Sequence, residues 1–224
     1  FHQAQSAQER DAGQALRQRF GIPAEHKVIA VVGAVMPRKG PDAILKAWRL
    51  LLPEFPDTHL LFVGPRADTH DPKLKKFGNK IAELVEASGA PRQVHFAGIV
   101  DDVENYLRAS DLFVLASKRE GTPNSVLEAM ATGLPSLVTP FIGISAGIGT
   151  AGEHYQLVDR DPQTMAAALV ALLRNPALSA AQGECGRRYV VDNVDQQLSL
   201  DRYVALYEEL GAMAAGRRLA GRGK

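Results

Sequence analysis

The sequence predicts an α/β fold built on a doubly wound parallel sheet, with a helical annex at its C-terminal end. Two observations carry this prediction. Short apolar runs without in/out alternation recur between residues 28 and 158, and segments of helical periodicity lie between most of them. Such runs are typical of strands covered on both faces by helices, and strand–helix alternation gives right-handed βαβ units. After Pro162 only helical patterns follow.

Six strands are predicted, five from clear apolar runs and a sixth from a weaker one. They cover Val28–Val32, Leu60–Val63, Val94–Phe96, Leu112–Leu115, Ser136–Val138 and Tyr155–Val158. Because consecutive strands lie far enough apart for a crossover helix, we expect all of them to be parallel.

Helices are predicted before, between and after these strands. A polar helix in the first 20 residues is expected to end at Gly21–Pro23. The others open near Gly40–Asp42 or cover Lys73–Ala87, Val103–Ala109, Pro123–Thr132, 163–174, 178–191 and 196–213. Thr122 is expected to cap the helix that begins at Pro123.

Composition excludes several classes of protein. The 224 residues carry 26 basic and 25 acidic side chains, so the net charge of +1 provides no general attraction for nucleic acid. Cys185 is the single cysteine, which excludes an intramolecular disulfide framework and a cysteine-cluster metal site. No run approaches the roughly 20 apolar residues of a membrane span. The chain begins at Phe1 rather than Met, so we expect it to be a piece of a longer protein.

The loop after the first strand carries two adjacent cations where a helix begins. It reads GAVMPRKG over Gly33–Gly40, with Arg38 and Lys39 directly before the last glycine. Free backbone N–H groups, the positive end of a helix dipole and two cations together favour phosphate binding. A solvated basic turn is the alternative.

The loop after the fourth strand carries two separated carboxylates. Glu120 lies on the loop and Glu128 on the second turn of the following helix, about 7.5 Å along the axis from Pro123. Both can face one crevice and accept hydrogen bonds from the hydroxyls of a sugar or ribose. The alternatives are that Glu120 pairs with Lys118 or Arg119 and that Glu128 is a surface charge on its otherwise apolar helix.

These loops belong to a recognisable pattern. The stretch EGTPNSVLEAMATGLP at Glu120–Pro135 resembles the E-x7-E signature of the retaining GT-B glycosyltransferases of family 4. The turn Arg38–Gly40, the sequence VHFAG at Val94–Gly98 and the sequence YLRASDLFVLAS at Tyr106–Ser117 also match that family in order and spacing. Together the matches span roughly residues 27–210, nearly the whole chain.

The resemblance implies the C-terminal, nucleotide-sugar-binding half of a two-domain enzyme, the Rossmann-like half of a GT-B fold. Residues 1–26 then lead in from a missing N-terminal domain, and residues 27–195 bind the donor. Residues 196–224 form a helix that returns toward the N-terminal domain, followed by a flexible basic tail. The implied partners are a nucleoside diphosphate sugar and a glycan, lipid or small-molecule acceptor. Neither a cofactor nor a metal ion is expected, and the expected location is the cytoplasm or the cytoplasmic face of the membrane.

The resemblance also assigns roles to residues. Lys39 neutralises the donor diphosphate, Glu120 contacts the transferred sugar and Glu128 holds the ribose hydroxyls, so Lys39 and Glu120 are the expected catalytic residues. The nucleotide base is expected beside Gly98 and Ile99. The remaining donor-binding candidates follow Glu120 directly: Gly121, Thr122, Pro123, Asn124 and Ser125.

One position departs from the family pattern. The family usually carries an arginine directly after the glycine that ends its first strand, and here that position is Ala34. Arg38 is a candidate replacement from the other side of the loop. The departure leaves a second function open, that of a non-catalytic nucleotide-sugar-binding module or regulatory subunit. A nucleotide-sugar epimerase or a glycan phosphorylase on the same architecture requires different strand-end motifs.

Overall fold

A computed structural model describes residues 7–66, 71–143, 146–194, 200 and 203–210. Its strands are β1 (Lys27–Val32), β2 (Thr58–Val63), β3 (Val94–Gly98), β4 (Leu112–Leu115), β5 (Ser136–Val138) and β6 (Gln156–Leu157). All strand pairs are parallel, in the order β3-β2-β1-β4-β5-β6. The predicted doubly wound sheet is confirmed, and the strand order reverses between β1 and β4, where such sheets bind ligands.

Helices cover both faces of the sheet. They are α1 (Ala7–Arg19), α2 (Pro41–Leu51), α3 (Pro72–Glu86), α4 (Val103–Arg108), α5 (Asn124–Ala131), α6 (Pro162–Arg174) and α7 (Pro176–Asn193). Helices α2, α3 and α6 pack on one face, while α1, α4, α5 and α7 pack on the other. Every residue of β2 and β4 is buried, which explains why these strands lack an alternating polar pattern.

Two local predictions are wrong. Helix α5 begins at Asn124 with Pro123 in the N-cap position, and no side chain caps it. Thr122 lies one residue before the cap, where its carbonyl oxygen accepts a hydrogen bond from the Asn124 N–H at 2.9 Å. Strand β6 pairs over two residues instead of the four expected from Tyr155 to Val158, because only Gln156 and Leu157 are in register with β5.

The predicted helix over 196–213 lies partly outside the described residues. Within the described part, residues 203–210 are helical. Six large apolar side chains in this region are exposed by 48–71 %: Leu200, Tyr203, Val204, Leu206, Tyr207 and Leu210. Residues 1–6 of the predicted lead-in and the predicted basic tail also lie outside the described residues.

No single described helix is long and apolar enough to cross a membrane. Helices α6 and α7 meet that test only as a pair, bent by 101°.

Three histidines form a row across neighbouring elements, which we call the histidine row: His26, His59 and His95. His26 Nδ1 lies 2.9 Å from His59 Nε2, and His59 Nδ1 lies 2.9 Å from His95 Nε2. These residues are more than 30 positions apart in the sequence, and the register of β1, β2 and β3 brings them together. The rings follow one another instead of surrounding a point, and the described residues contain no group of three or more His, Cys, Asp or Glu that can hold a metal ion.

Candidate active site

The loops that follow β1 and β4 meet where the strand order reverses. The loop after β1 ends in a short 3₁₀ turn over Pro37–Lys39. Its Arg38 carbonyl accepts a hydrogen bond from the Lys118 N–H at 2.8 Å. Gly40 has φ +67°, and a Cβ there would lie 2.4 Å from the Ala116 carbonyl oxygen. Because only glycine fits this approach, the glycine after Lys39 is what lets the cationic turn reach the end of β4.

Lys39 and Glu120 are in direct contact. The Lys39 Nζ donates to Glu120 Oε1 at 2.7 Å, and we call these two side chains the Lys39–Glu120 pair. Arg38 Nη1 lies 3.4 Å from Glu120 Oε2, and Ser117 Oγ donates to Glu120 Oε1. The structure therefore brings the predicted cations and the first predicted carboxylate into contact where the two loops meet, and we call this place the crevice. The alternative in which Glu120 pairs with Lys118 or Arg119 does not match its contacts.

The environment of Glu120 keeps its carboxyl group ionised. Burial alone would raise the pKa of Glu120, whose side chain is 8 % exposed. Hydrogen bonds from Lys39 and Ser117 and the charges of Lys39 and Arg38 outweigh burial, so the pKa lies below its ordinary value. At neutral pH the crevice thus contains two cations and one carboxylate in contact.

A second layer of contacts fixes the Glu120 backbone. The Glu120 N–H donates to the Ile142 carbonyl at 3.1 Å. Gly143 has φ +101°, and a Cβ there would lie 2.1 Å from the Glu120 carbonyl oxygen. Arg160 Nη2 donates to the Ser117 carbonyl. Sequence reasoning missed Ser117, Gly143 and Arg160 as parts of the site. The available signal was a hydroxyl two residues after the end of β4, three residues before Glu120.

Glu128 lies on α5 as predicted, half-buried and without the expected contacts of a surface charge. No described cation forms an ion pair with it, and burial raises the pKa of Glu128 above its ordinary value. Between the two glutamates, the N–H groups of Gly121 and Thr122 have no acceptor among the described residues. Pro123 is buried, Asn124 is exposed and Ser125 is half-buried at the start of the helix. Among the described residues, this segment therefore has two N–H donors without an acceptor and, on the following helix, a carboxylate without an ion-pair partner.

Gly98 and Ile99 lie at the carboxyl end of β3, on the same edge of the sheet. Gly98 has φ +77°, and the Ile99 side chain is 80 % exposed. Strand β2 separates them from β1, so they lie apart from the Lys39–Glu120 pair. At Ala34 no charged side chain is present, whereas the Arg38 guanidinium occupies the crevice.

Comparison with known proteins identifies the family. A sequence model described as "Glycosyl transferases group 1" matches residues 26–175. Mannosylfructose-phosphate synthase of Agrobacterium fabrum is 33 % identical over 150 residues, which cover 65 % of this chain and 32 % of that protein. D-inositol 3-phosphate glycosyltransferase of Corynebacterium urealyticum is 32 % identical over 208 residues, covering 88 % of this chain and 46 % of that protein. The chain thus spans less than half the length of these curated relatives.

A solved structure covers the same part of the family. The C-terminal domain of a glycosyl transferase group 1 family protein (LpcC) from Francisella tularensis superposes with a TM-score of 0.73 and 26 % identity. The match covers 88 % of this chain and 96 % of that one, so the two chains correspond almost end to end. The profile match, the relatives and the fold agree, and the chain belongs to the group 1 glycosyl transferases.

Proposed function

We propose that this chain is the donor-binding half of a retaining glycosyltransferase that transfers a sugar from a nucleoside diphosphate sugar to an acceptor. One observation carries the proposal: Arg38, Lys39 and Glu120 share a crevice at the switch point of the sheet, with Glu128 on the helix that follows. Cations suit a diphosphate, and carboxylates suit the hydroxyls on either side of it.

The chemical demand of sugar transfer is the negative charge that develops on the departing diphosphate. Lys39 and Arg38 stabilise that charge, together with the N–H groups of Gly121 and Thr122, which have no acceptor in the described part of the chain. Removing one preorganised donor of this kind typically costs about 2.7–4 kcal/mol of transition-state stabilisation. In this proposal the side-chain cations neutralise the diphosphate, Glu120 binds the transferred sugar and Glu128 binds the ribose. The base lies toward Gly98 and Ile99.

A binding experiment tests the donor class. Thermal unfolding of the chain is measured with UDP, GDP and ADP sugars in parallel. A ligand at about 100 times its Kd should stabilise the folded state by about 2.7 kcal/mol, because it binds only that state. Lys39→Met should reduce the shift, because Arg38 then remains as the cation beside Glu120, whereas Lys46→Met, at an exposed position on α2, should keep it. If no sugar nucleotide stabilises the wild-type chain, the proposal is wrong.

Activity is a property of the longer protein in this proposal. Acceptor recognition belongs to a domain outside this chain, so we expect the chain alone not to transfer sugar. The exposed apolar residues between Leu200 and Leu210 support a contact with such a domain. In the full-length protein, Lys39→Ala should lower turnover about 100-fold or more. NMR of the first product formed should show the anomeric configuration of the donor, and an inverted product would contradict retention.

A non-catalytic nucleotide-sugar-binding module is the second candidate, and Ala34 is the observation that favours it. The site lacks one cation of the family pattern at that position. Arg38 supplies a positive charge to the same crevice, which favours the enzyme. If the full-length protein binds a sugar nucleotide but neither transfers nor hydrolyses the sugar, it is a binding module and not an enzyme.

A further inference from the structure

The cation that is expected to bind the diphosphate already has an anionic partner. Lys39 Nζ and Glu120 Oε1 are 2.7 Å apart, with the two side chains only 18 % and 8 % exposed. Arg38, the other cation in the crevice, is 44 % exposed and lies farther from the carboxylate, at 3.4 Å. Glu120 is therefore paired with Lys39, the more buried of the two cations.

A phosphate group cannot bind Lys39 without meeting this carboxylate. Any phosphate oxygen within hydrogen-bond distance of Lys39 Nζ comes close to Glu120 Oε1, which accepts from the same nitrogen. Like charges so close in a half-buried crevice repel strongly, since little water screens them. Lys39 has further N–H donors, but this repulsion means that the Lys39–Glu120 contact and a diphosphate bound at Lys39 weaken each other.

Glu120 has a second contact that does not depend on Lys39. Ser117 Oγ donates to Glu120 Oε1, and the Ser117 carbonyl is held by Arg160. The Glu120 backbone is fixed by Ile142. When Lys39 changes partner, the carboxylate therefore keeps its place in the crevice and gains free acceptor capacity.

We propose that Glu120 and the donor's diphosphate compete for Lys39, so that diphosphate binding releases Glu120 to accept hydrogen bonds from the sugar. The proposal rests on the proposed function and adds an order to it. When a sugar nucleotide binds, Glu120 loses its hydrogen bond from Lys39, and the hydroxyls of the sugar donate to the released carboxylate instead. A nucleoside diphosphate without its sugar offers no such replacement, and Glu120 returns to Lys39. The competition therefore favours the donor over the nucleotide product and assists product release.

The first test uses inorganic pyrophosphate, which has neither a base nor a sugar. Its affinity is measured by titration calorimetry at constant ionic strength for the wild-type chain and for Glu120→Gln. Removing the competing charge should tighten binding between about 5-fold and 150-fold, the usual range of coupling between two sites. Glu54→Gln removes a carboxylate paired with Arg174 at the other end of the sheet and should leave the affinity unchanged. An unchanged or weaker affinity in Glu120→Gln would overturn the proposal.

The second test asks whether the competition acts through Lys39. In a Lys39→Met background, Glu120→Gln should tighten pyrophosphate binding by much less than in the wild-type background. An equal gain in affinity in both backgrounds would show general charge repulsion and would refute competition for Lys39.

A third test needs no variant at all and serves if Glu120→Gln fails to fold. In crystals of the wild-type chain with pyrophosphate, Lys39 Nζ should contact the phosphate and lie beyond hydrogen-bond distance of Glu120. Pyrophosphate bound beside an intact pair would contradict us.

The two proposals fail in different ways. If neither pyrophosphate nor any sugar nucleotide binds the wild-type chain, the proposed function fails. If these ligands bind and Lys39→Met lowers their affinity, but Glu120→Gln does not raise the affinity for pyrophosphate, only the proposed competition is wrong. A matched measurement with UDP and a UDP sugar should show the preference for the sugar nucleotide decreasing in Glu120→Gln.

Discussion

The histidine row should make the folded state sensitive to mild acid. His59 is 5 % exposed and lies between two neighbouring imidazoles. Burial, helped by the nearby rings of His95 and His26 and by the charge of Arg17, lowers the pKa of His59 to about 4, although Asp57 acts in the opposite direction. Burial also lowers the pKa of His95. A protein that keeps these rings neutral resists protonation as long as it stays folded.

The magnitude follows from the two states of His59. Between pH 6.5 and about 4 the unfolded chain binds a proton at this position and the folded chain does not, so stability falls as the pH falls. The two pKa values differ by about 2.5. Because each pKa unit corresponds to about 1.36 kcal/mol, the stability lost amounts to about 3 kcal/mol. Full stability is present above pH 6.5 and the loss is complete below about pH 4.

Urea unfolding at a series of pH values measures this loss. His59→Leu should remove most of the difference, because leucine cannot bind the proton in either state. Carboxylates also titrate in this range, so the informative quantity is the gap between wild type and variant. Thr139→Val, a buried substitution that changes no titratable group, should retain the wild-type slope. If His59→Leu loses stability with falling pH as steeply as the wild type, the reasoning from the row is wrong.

Three further predictions concern close contacts and the second carboxylate. Gly40→Ala should lower the free energy of unfolding by at least about 2 kcal/mol in urea, since its Cβ meets the Ala116 oxygen at a left-handed φ. Gly183→Ala should destabilise by about 1–3 kcal/mol, because a Cβ there lies 2.0 Å from the Gly133 oxygen; a gain of about 1 kcal/mol, as helix propensity alone favours, would contradict this. Glu128→Gln should weaken nucleoside diphosphate binding in calorimetry but leave pyrophosphate affinity unchanged. Because burial raises the pKa of Glu128, the same variant should be more stable than wild type at neutral pH and lose that advantage below pH 4.5.

Much of the fold could be predicted from the sequence because its strands are buried on both faces. The runs ending at Val32, Val63 and Leu115 contain almost no polar residues, and runs this short that alternate with helical segments are typical of buried parallel strands. The cationic loop and the acidic loop were placed at one edge by the rule for parallel sheets. Both parts of that prediction depend only on local pattern and topology, and the structure agrees with them.

What the sequence did not indicate depends on contacts between distant segments. The direct pairing of Lys39 with Glu120 requires Gly40 to approach Ala116, and no local pattern encodes that distance. The histidine row follows from strand register, which a single sequence does not specify. The error at Thr122 has a local cause, since Pro123 took the cap position and moved the helix start by one residue.

Two glycines near Glu120, Gly40 and Gly143, limit where the sequence of this protein can be changed. At Gly40 and Gly143 a backbone oxygen lies where a methyl group would have to go, so a mutant library that varies them yields mainly damaged proteins. Ile99 is different, because its side chain points into solvent on the same edge of the sheet. Under the proposed function, in which the base lies beside Ile99, laboratory evolution toward another donor base should diversify Ile99 and leave the two glycines unchanged.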